Sequence, residues 1–342
     1  MSNGRTEADQ RVEARAGRAW LRPVVVGLVA LGLPWVLAGR YHRHVLVLAG
    51  LFVLMALGFD LVLGYLGELS LGHAAFFALG AYTSALLFLK AGVSMWAGLP
   101  AAALLAAVTA FALGWVILRV RGHRFVIITV AFAEILKLVS TNWVELTRGF
   151  MGLPGLQLPP LWVPGWGRLD LTPKARFYYV ALAFALAALW LCRRLVGSPV
   201  GRAFALVREN EALAEALGLS AFRYCMVAFV LGAALAGAGG SLYAHYVGFV
   251  SPDLFSFSYM TIMLMMVIMG GKGTVLGPAL GAAIFTFLPE LLREAAELRM
   301  VIFAVILIVA TLYMPRGVIF PLVERIPGLV RTARRLLHAP AP

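Results

Sequence analysis

Charge is scarce in this 342-residue chain. Asp, Glu, Lys and Arg make up 13% of it against 62% hydrophobic residues, where a soluble domain carries about 25% charged residues. With half the usual charge missing, the chain cannot cover the surface of a water-soluble fold. Cysteine is nearly absent too. Cys192 and Cys225 stand alone at the edges of apolar runs, so no disulfide framework is implied. No G-x-x-x-x-G-K-[ST] cradle occurs: around Gly271-Lys272-Gly273, Met266 replaces the first glycine and Gly273 the hydroxyl residue. The chain therefore does not hold nucleotide phosphates in that way. H-E-x-x-H, paired cysteine ligands and a serine nucleophile elbow are missing, and the histidines (His42, His44, His73, His123, His245, His338) are scattered. These absences argue against an enzyme, and no metal or cofactor is expected.

What is abundant is apolar sequence in long runs, such as VLVLAGLFVLMALGF from Val45 and MVIFAVILIVATLYM from Met300. Runs of this kind suit the roughly 20 residues that a helix needs to cross a bilayer. The reading is an all-α, polytopic transmembrane bundle of about ten helices, near 23–39, 45–66, 70–89, 94–118, 125–143, 177–195, 224–248, 257–270, 275–289 and 299–315. Glycines interrupt the third and the last three, which are candidates for half-helices or re-entrant segments.

Topology follows from basic residues, because Lys and Arg gather in cytoplasmic loops. A cytoplasmic N-terminus places five Arg of the arm 1–22 inside, with Arg119, Arg121, Arg124, five Arg from Arg193 to Arg223, Lys272, and five Arg in the tail 316–342. That is 19 of the 29 Lys and Arg, although Arg40 and Arg43 fall outside. The net charge of +13 thus reflects topology and lipid headgroups, not nucleic acid. Residues 23–315 form the membrane domain, with a cytoplasmic loop at 196–223 and a Gly-, Pro- and Trp-rich external loop at 144–176, where indoles favour the headgroup level. No segment is large enough for a soluble catalytic domain.

Four stretches carry chemistry. In GYLGELSLGHAAFFALGAY, Gly64, Gly67 and Gly72 are expected helix breaks, with Ser70 and His73 between or beside them. Such glycines either let backbones pack closely or break helices along a cavity. An ionisable group at membrane depth faces an interior, so His73 either lines a pathway or makes a structural hydrogen bond. In MGGKGTVLGPALGAAI, Gly273 and Gly277 are further breaks, and Leu276-Gly277-Pro278-Ala279 repeats the pattern of Leu71-Gly72-His73-Ala74. Corresponding breaks in two halves of a transporter point to a central site. In FVIITVAFAEILKLVSTNWVELT, Glu134 and Lys137 share one helix face and can pair, as a structural ion pair or as a contact for a substrate ammonium group. Thr129, Ser140, Asn142 and Thr147 are its polar companions. The candidate pathway set is thus Ser70, His73, Thr129, Glu134, Asn142 and Thr147.

The fourth stretch is SPVGRAFALVRENEALAEALGLSAFRY. Leu206, Val207, Leu213, Ala214 and Leu217 predict the apolar stripe of one short amphipathic helix. Arg208, Glu209, Asn210, Glu211 and Glu215 supply its polar face, and Gly218 suits its end. A helix lying on lipid has a polar face rich in Lys and Arg. This face mixes signs, which favours docking to a protein.

On these residues the chain resembles the permeases of high-affinity branched-chain amino acid ABC importers, of the LivM type. Leu57–Ala85, Arg119–Leu153, Ser198–Gly218 and Met269–Ile284 carry the likeness, about a third of the chain. The resemblance implies a bacterial inner-membrane protein working by alternating access. It further implies a second related permease, two cytoplasmic ATPases that contact Arg208–Gly218, and a periplasmic substrate-binding protein. Departures from the pattern are Asp60 where Asn is usual, Glu68 where Gln is common, Arg124 for an aromatic, and Arg148 within a usual Gly-Gly. A charge in the membrane costs on the order of 2.5–3.5 kcal/mol, so Asp60 and Glu68 are expected to be paired or near water. Urea or a short amide is the alternative substrate class. A self-sufficient ion-coupled transporter or channel, with Asp60, Glu68 and Glu134 as an ion relay, is the alternative mechanism.

Overall fold

A computed structural model of the chain describes residues 39–120, 122–163, 167–169, 171 and 174–291, with isolated helical positions at 32, 34, 301, 302, 305, 308 and 312. Six helical segments among the described residues are long and apolar enough to cross a membrane. They are α1 (Arg40–Asp60) with its continuation to Leu66, α2 (His73–Ala91), α3 (Met95–Ile117), α4 (His123–Asn142), α6 (Lys174–Val196) and α9 (Ala221–Val247). The remaining helices are α5 (Val144–Thr147), α7 (Pro199–Glu209), α8 (Glu211–Ala216), α10 (Phe257–Gly270) and α11 (Leu276–Leu291). The expected first and last spans, 23–39 and 299–315, and the two terminal arms lie almost wholly outside the described residues.

Two helices make the centre. The membrane window of α1 is 89% buried and that of α4 only 22%, so α1 is a core element and α4 a peripheral one. Small residues on α9 let α1, α2 and α3 close in around it. A Cβ at Gly232 would strike the Gly58 carbonyl of α1, and one at Gly240 the Phe77 carbonyl of α2. Between helices in lipid, where no hydrophobic force drives association, such backbone approach maximises van der Waals contact.

The sequence of α3 shows how its two faces are assigned. Ser94 caps it, its hydroxyl accepting from the Trp96 N–H at 3.4 Å. Gly98, Ala102, Ala106, Ala110 and Gly114 recur every fourth residue and are all buried, which makes one small-residue seam along a helix. Ala102 and Ala106 meet Gly237 of α9. The other face carries Leu104, Val108, Phe111, Trp115 and Val116, all exposed. It is the lipid side.

The segments 257–270 and 275–289 resolve into two short helices. Fourteen residues of α10 rise only about 21 Å, less than the roughly 30 Å of a hydrocarbon core. α10 and α11 pack as a hairpin, since Gly270 lies against the Gly277 carbonyl and Gly281 against the Met266 carbonyl. Its turn, Gly271–Val275, ends beside α1 and not past it. The Gly72 segment instead begins a full-length helix.

The ends of the bundle separate cleanly. At one end, Lys90 Nζ donates to the Glu145 carbonyl (3.1 Å) and Trp96 Nε1 to that of Pro160 (3.4 Å). There too β1 (Leu153–Pro154) pairs antiparallel with β4 (Phe249–Val250). β2 (Leu161–Val163) and β3 (Gly167–Leu169) form a second short ribbon. The external loop therefore contains strands that its composition did not reveal. At the other end, the Gly122 N–H donates to Glu68 Oε2 (3.2 Å), and the Arg119 guanidinium lies over Trp115 and Phe222. This second end holds the basic loops expected from the sequence to face the cytoplasm.

The two faces of α3 predict opposite responses. Ala106→Leu is expected to destabilise the protein by about 1–3 kcal/mol through overpacking, while Leu104→Ala in detergent stays within about 0.5 kcal/mol. Thermal unfolding of the two purified variants checks this.

Candidate functional site

The segment 196–223 is built by its caps. Ser198 starts α7, its hydroxyl accepting from the Val200 N–H at 3.2 Å, and Pro199 occupies the first turn, where its missing N–H is harmless. α7 stops at Asn210, whose backbone is extended (φ −156°, ψ 105°). The same residue opens α8, its Oδ1 accepting from the Leu213 N–H at 3.0 Å. The single amphipathic helix read from the sequence is thus two helices broken at Asn210, because an Asn side chain competes well for free amides at a helix start. Gly218 ends the unit with φ 83°, as expected of a C-terminal glycine. The apolar stripe also splits. Val207 and Ala214 are buried with Phe204, whereas Leu213 and Leu217 are exposed beside Glu209, Asn210 and Glu215. Leu118, Arg119, Glu211, Glu215 and Phe222 line an open groove next to them.

One residue of this unit points the other way. Arg208 donates from Nη1 to the carbonyl of Gly64. Gly64 sits in a π-helical turn, Leu61–Leu66, that continues α1. Such turns widen the hydrogen-bonding ladder and are frequent at functional sites. Gly67 closes the turn with φ 79°, and the Arg208 stem lies where a Cβ of Gly67 would come within 3.2 Å. One turn earlier stands Asp60, buried at 1% exposure, its Oδ1 accepting from the Gly273 N–H at 2.8 Å. A Cβ at Gly64 would collide with both Asp60 Oδ1 and the Gly273 nitrogen. Four parts therefore meet at one point: the end of α1, its π turn, the α10–α11 turn and α7. The sequence supplied Gly64, Gly67, Gly273 and Arg208 as separate candidates and Asp60 as a departure. Their meeting was not legible, because 213 residues separate Asp60 from Gly273.

The candidate pathway residues do not share a single cavity. His73 and Ser70 are fully buried at the start of α2. The His73 ring is held between Phe59 and Phe76 and against Gly232, in the seam of α1, α2 and α9. Gly72 lies under the Thr129 carbonyl, where a Cβ would not fit. Thr129 is buried and donates to Val126, Ser140 to Lys137, and Thr147 to Ser140, all main-chain carbonyls of one region. Asn142 is exposed and donates to Leu138. Glu134 and Lys137 pair at 3.9 Å with side chains 47% and 36% exposed. They lie on the open face of α4 with Ile127, Leu138 and Val139. The Gly277 N–H donates to Thr274 Oγ1 at 3.1 Å.

The outer end holds a buried network that the scattered histidines concealed. Ser84 Oγ and His245 Nε2 are hydrogen-bonded at 3.0 Å, and His245 Nδ1 reaches the Gln157 carbonyl at 3.0 Å. It ties α2, α9 and the external loop together. Its only sequence signal is a histidine inside an apolar run.

Comparison with known proteins places this geometry. The family described as "Branched-chain amino acid transport system / permease component" matches residues 42–311. The chain belongs to this family. It is similar to the high-affinity branched-chain amino acid transport system permease protein LivM of Escherichia coli K12. The two are 33% identical over 314 residues, covering 86% of this chain and 74% of that protein. LivM of Salmonella typhimurium is 32% identical over the same shares. LivH of E. coli K12 is 29% identical over 82% of this chain and 94% of its own length. No solved structure matches the chain. The permease is a transport protein and not an enzyme, spans the membrane several times and is homologous to inner-membrane Liv permeases. LivM and LivH are two permeases of one kind of system, which implies partner subunits.

The cap at Asn210 gives a direct test of the broken arm. Asn210→Ala is expected to weaken α8 by about 1 kcal/mol. Amide exchange at Leu213 then speeds up about five-fold, with exchange in α9 unchanged, as read by hydrogen-exchange mass spectrometry.

Proposed function

We propose that this permease pairs with a second, related permease and with two cytoplasmic ATPases, and that a periplasmic binding protein delivers a branched-chain amino acid to the pair. ATP binding and hydrolysis in the partners would switch which side of the membrane the conduit faces. The single observation that carries this reading is the bond from Arg208 to the Gly64 carbonyl. It connects a solvent-facing arm of mixed charge to a break in the central membrane helix. Exposed Leu213 and Leu217, with Glu211 and Glu215 at the adjoining groove, make that arm a docking element. A force applied there reaches α1 through two short links.

The face of α4 is our candidate for the conduit. A Glu–Lys pair at mid-helix is costly against lipid and belongs beside protein or water. In the single chain that face is open. We assign it to the interface with the second permease, with Glu134 offered to the substrate ammonium group and Asn142 nearer the outer end. Thr129 and Thr147 belong to the same wall, and Ser70 and His73 hold the helices behind it.

An ion relay through Asp60, Glu68 and Glu134 has little support. Each acid has its own partner: Gly273, Gly122 and Lys137 respectively. They sit at three separate places and form no chain.

Charge reversal at the arm is the decisive experiment. The double variant Glu211→Lys/Glu215→Lys is expected to abolish co-purification of the ATPases and solute accumulation together, with membrane levels unchanged. Accumulation that persists would remove the ATP-driven reading. Separately, Glu134→Gln is expected to lower uptake about ten-fold, the scale of losing about 1.4 kcal/mol from a charge-assisted bond, with ATPase binding intact. Initial uptake rates in vesicles measure it.

A further inference from the structure

Asp60 is only half used. Its Oδ1 takes the Gly273 N–H, but Oδ2 is buried and has no hydrogen-bond partner among the described residues. A buried carboxylate oxygen left bare is one of the more expensive arrangements a fold can hold. Arg208 is the cation beside Asp60 among the described residues, since the Gly64 carbonyl that it holds lies one turn from Asp60. That guanidinium is spent on a neutral carbonyl, Gly64 O, although a carboxylate is the stronger partner.

Glycine lets the three groups come this close. A Cβ on Gly64 would strike both Asp60 Oδ1 and the Gly273 nitrogen. One on Gly273 would stand 3.1 Å from the Gly64 carbonyl and 3.4 Å from Arg208 Nη1. Gly273 has φ 75° as well, so the turn itself prefers glycine. Arg208 and the Asp60 carboxyl thus stand on either side of the Gly64–Gly273 contact, and a guanidinium has five donors to share between them.

We propose that Asp60 and Arg208 are a positioning pair for transport, in which Arg208 holds the Gly64 carbonyl in the state described and crosses to the free oxygen of Asp60 in the other. The exchange moves α7 along the end of α1 and fixes the arm in either of two places. It rests on the coupling reading above and adds to it the residues that make the arm bistable. Small shifts become two-state when the packing offers two discrete seats.

The test uses the complete complex in proteoliposomes, with its ATPases and binding protein, and reads ATP hydrolysed per solute moved. Asp60→Asn keeps the size of the side chain and the acceptor for Gly273 but puts an NH2 group, which cannot accept from Arg208, in place of the free oxygen. With assembly at the wild-type level, it is expected to raise the ratio at least about five-fold, the lower end of typical coupling between sites. Arg208→Gln is expected to raise it similarly, and the double variant no further than the worse single, since both remove one interaction. A wild-type ratio in Asp60→Asn overturns the proposal. So do effects that multiply in the double variant, which would leave Arg208 acting through Gly64 alone. Failure of Asp60→Asn to assemble overturns it too, by making the carboxylate a plain anchor. If Arg208→Gln loses its ATPases, the Asp60→Asn ratio decides alone. Failure of the coupling reading itself looks different: accumulation would then survive charge reversal at Glu211 and Glu215.

Discussion

Main-chain groups inside a bilayer have no water to bond, so each break in a helix must be answered by another part of the protein. The π turn at Leu61–Leu66 and the glycine turn after α10 are the two breaks that matter here. Arg208 answers the Gly64 carbonyl and Asp60 answers the Gly273 amide. Each break is thereby completed by a residue from elsewhere in the chain. These two bonds tie the inner end of α1 to the α10–α11 hairpin and to α7. Mechanical continuity follows from hydrogen-bond satisfaction.

Close packing sets how far that continuity extends. α9 lies at the centre because Gly232, Gly237, Gly239 and Gly240 let three neighbours approach its backbone. Interfaces of this kind are stiff, since little volume is free to absorb a shift. The Ser84–His245–Gln157 network at the outer end adds polar ties to the apolar contact. α1 and α9 are the most enclosed of the long helices, while α4 packs against few neighbours and its open face carries the Glu134–Lys137 pair.

Reading the residues alone recovered the class of fold and the family, and its ten expected spans include the six long helices described. Each rests on information that is local: apolar length, basic loops, a cap and a glycine stop. It failed where one residue decided between two local outcomes. Asn210 breaks α7 from α8 because its side chain reaches an amide three residues on, and periodicity cannot register that competition. The strands of the external loop were hidden for another reason. β1 pairs with β4 across nearly a hundred residues of sequence, and two-residue strands carry no period of their own.

Apolar runs and their spacing determined by themselves that this chain crosses the membrane many times. The cost of burying charge and main-chain polar groups in hydrocarbon admits few other answers. Which polar groups satisfy one another was decided only in three dimensions. Asp60 reads from the sequence as a lone, costly acid. Folding brings it to the Gly273 amide and the Arg208 guanidinium, because α1, α7 and the α10–α11 turn converge on one point at the inner end of the bundle.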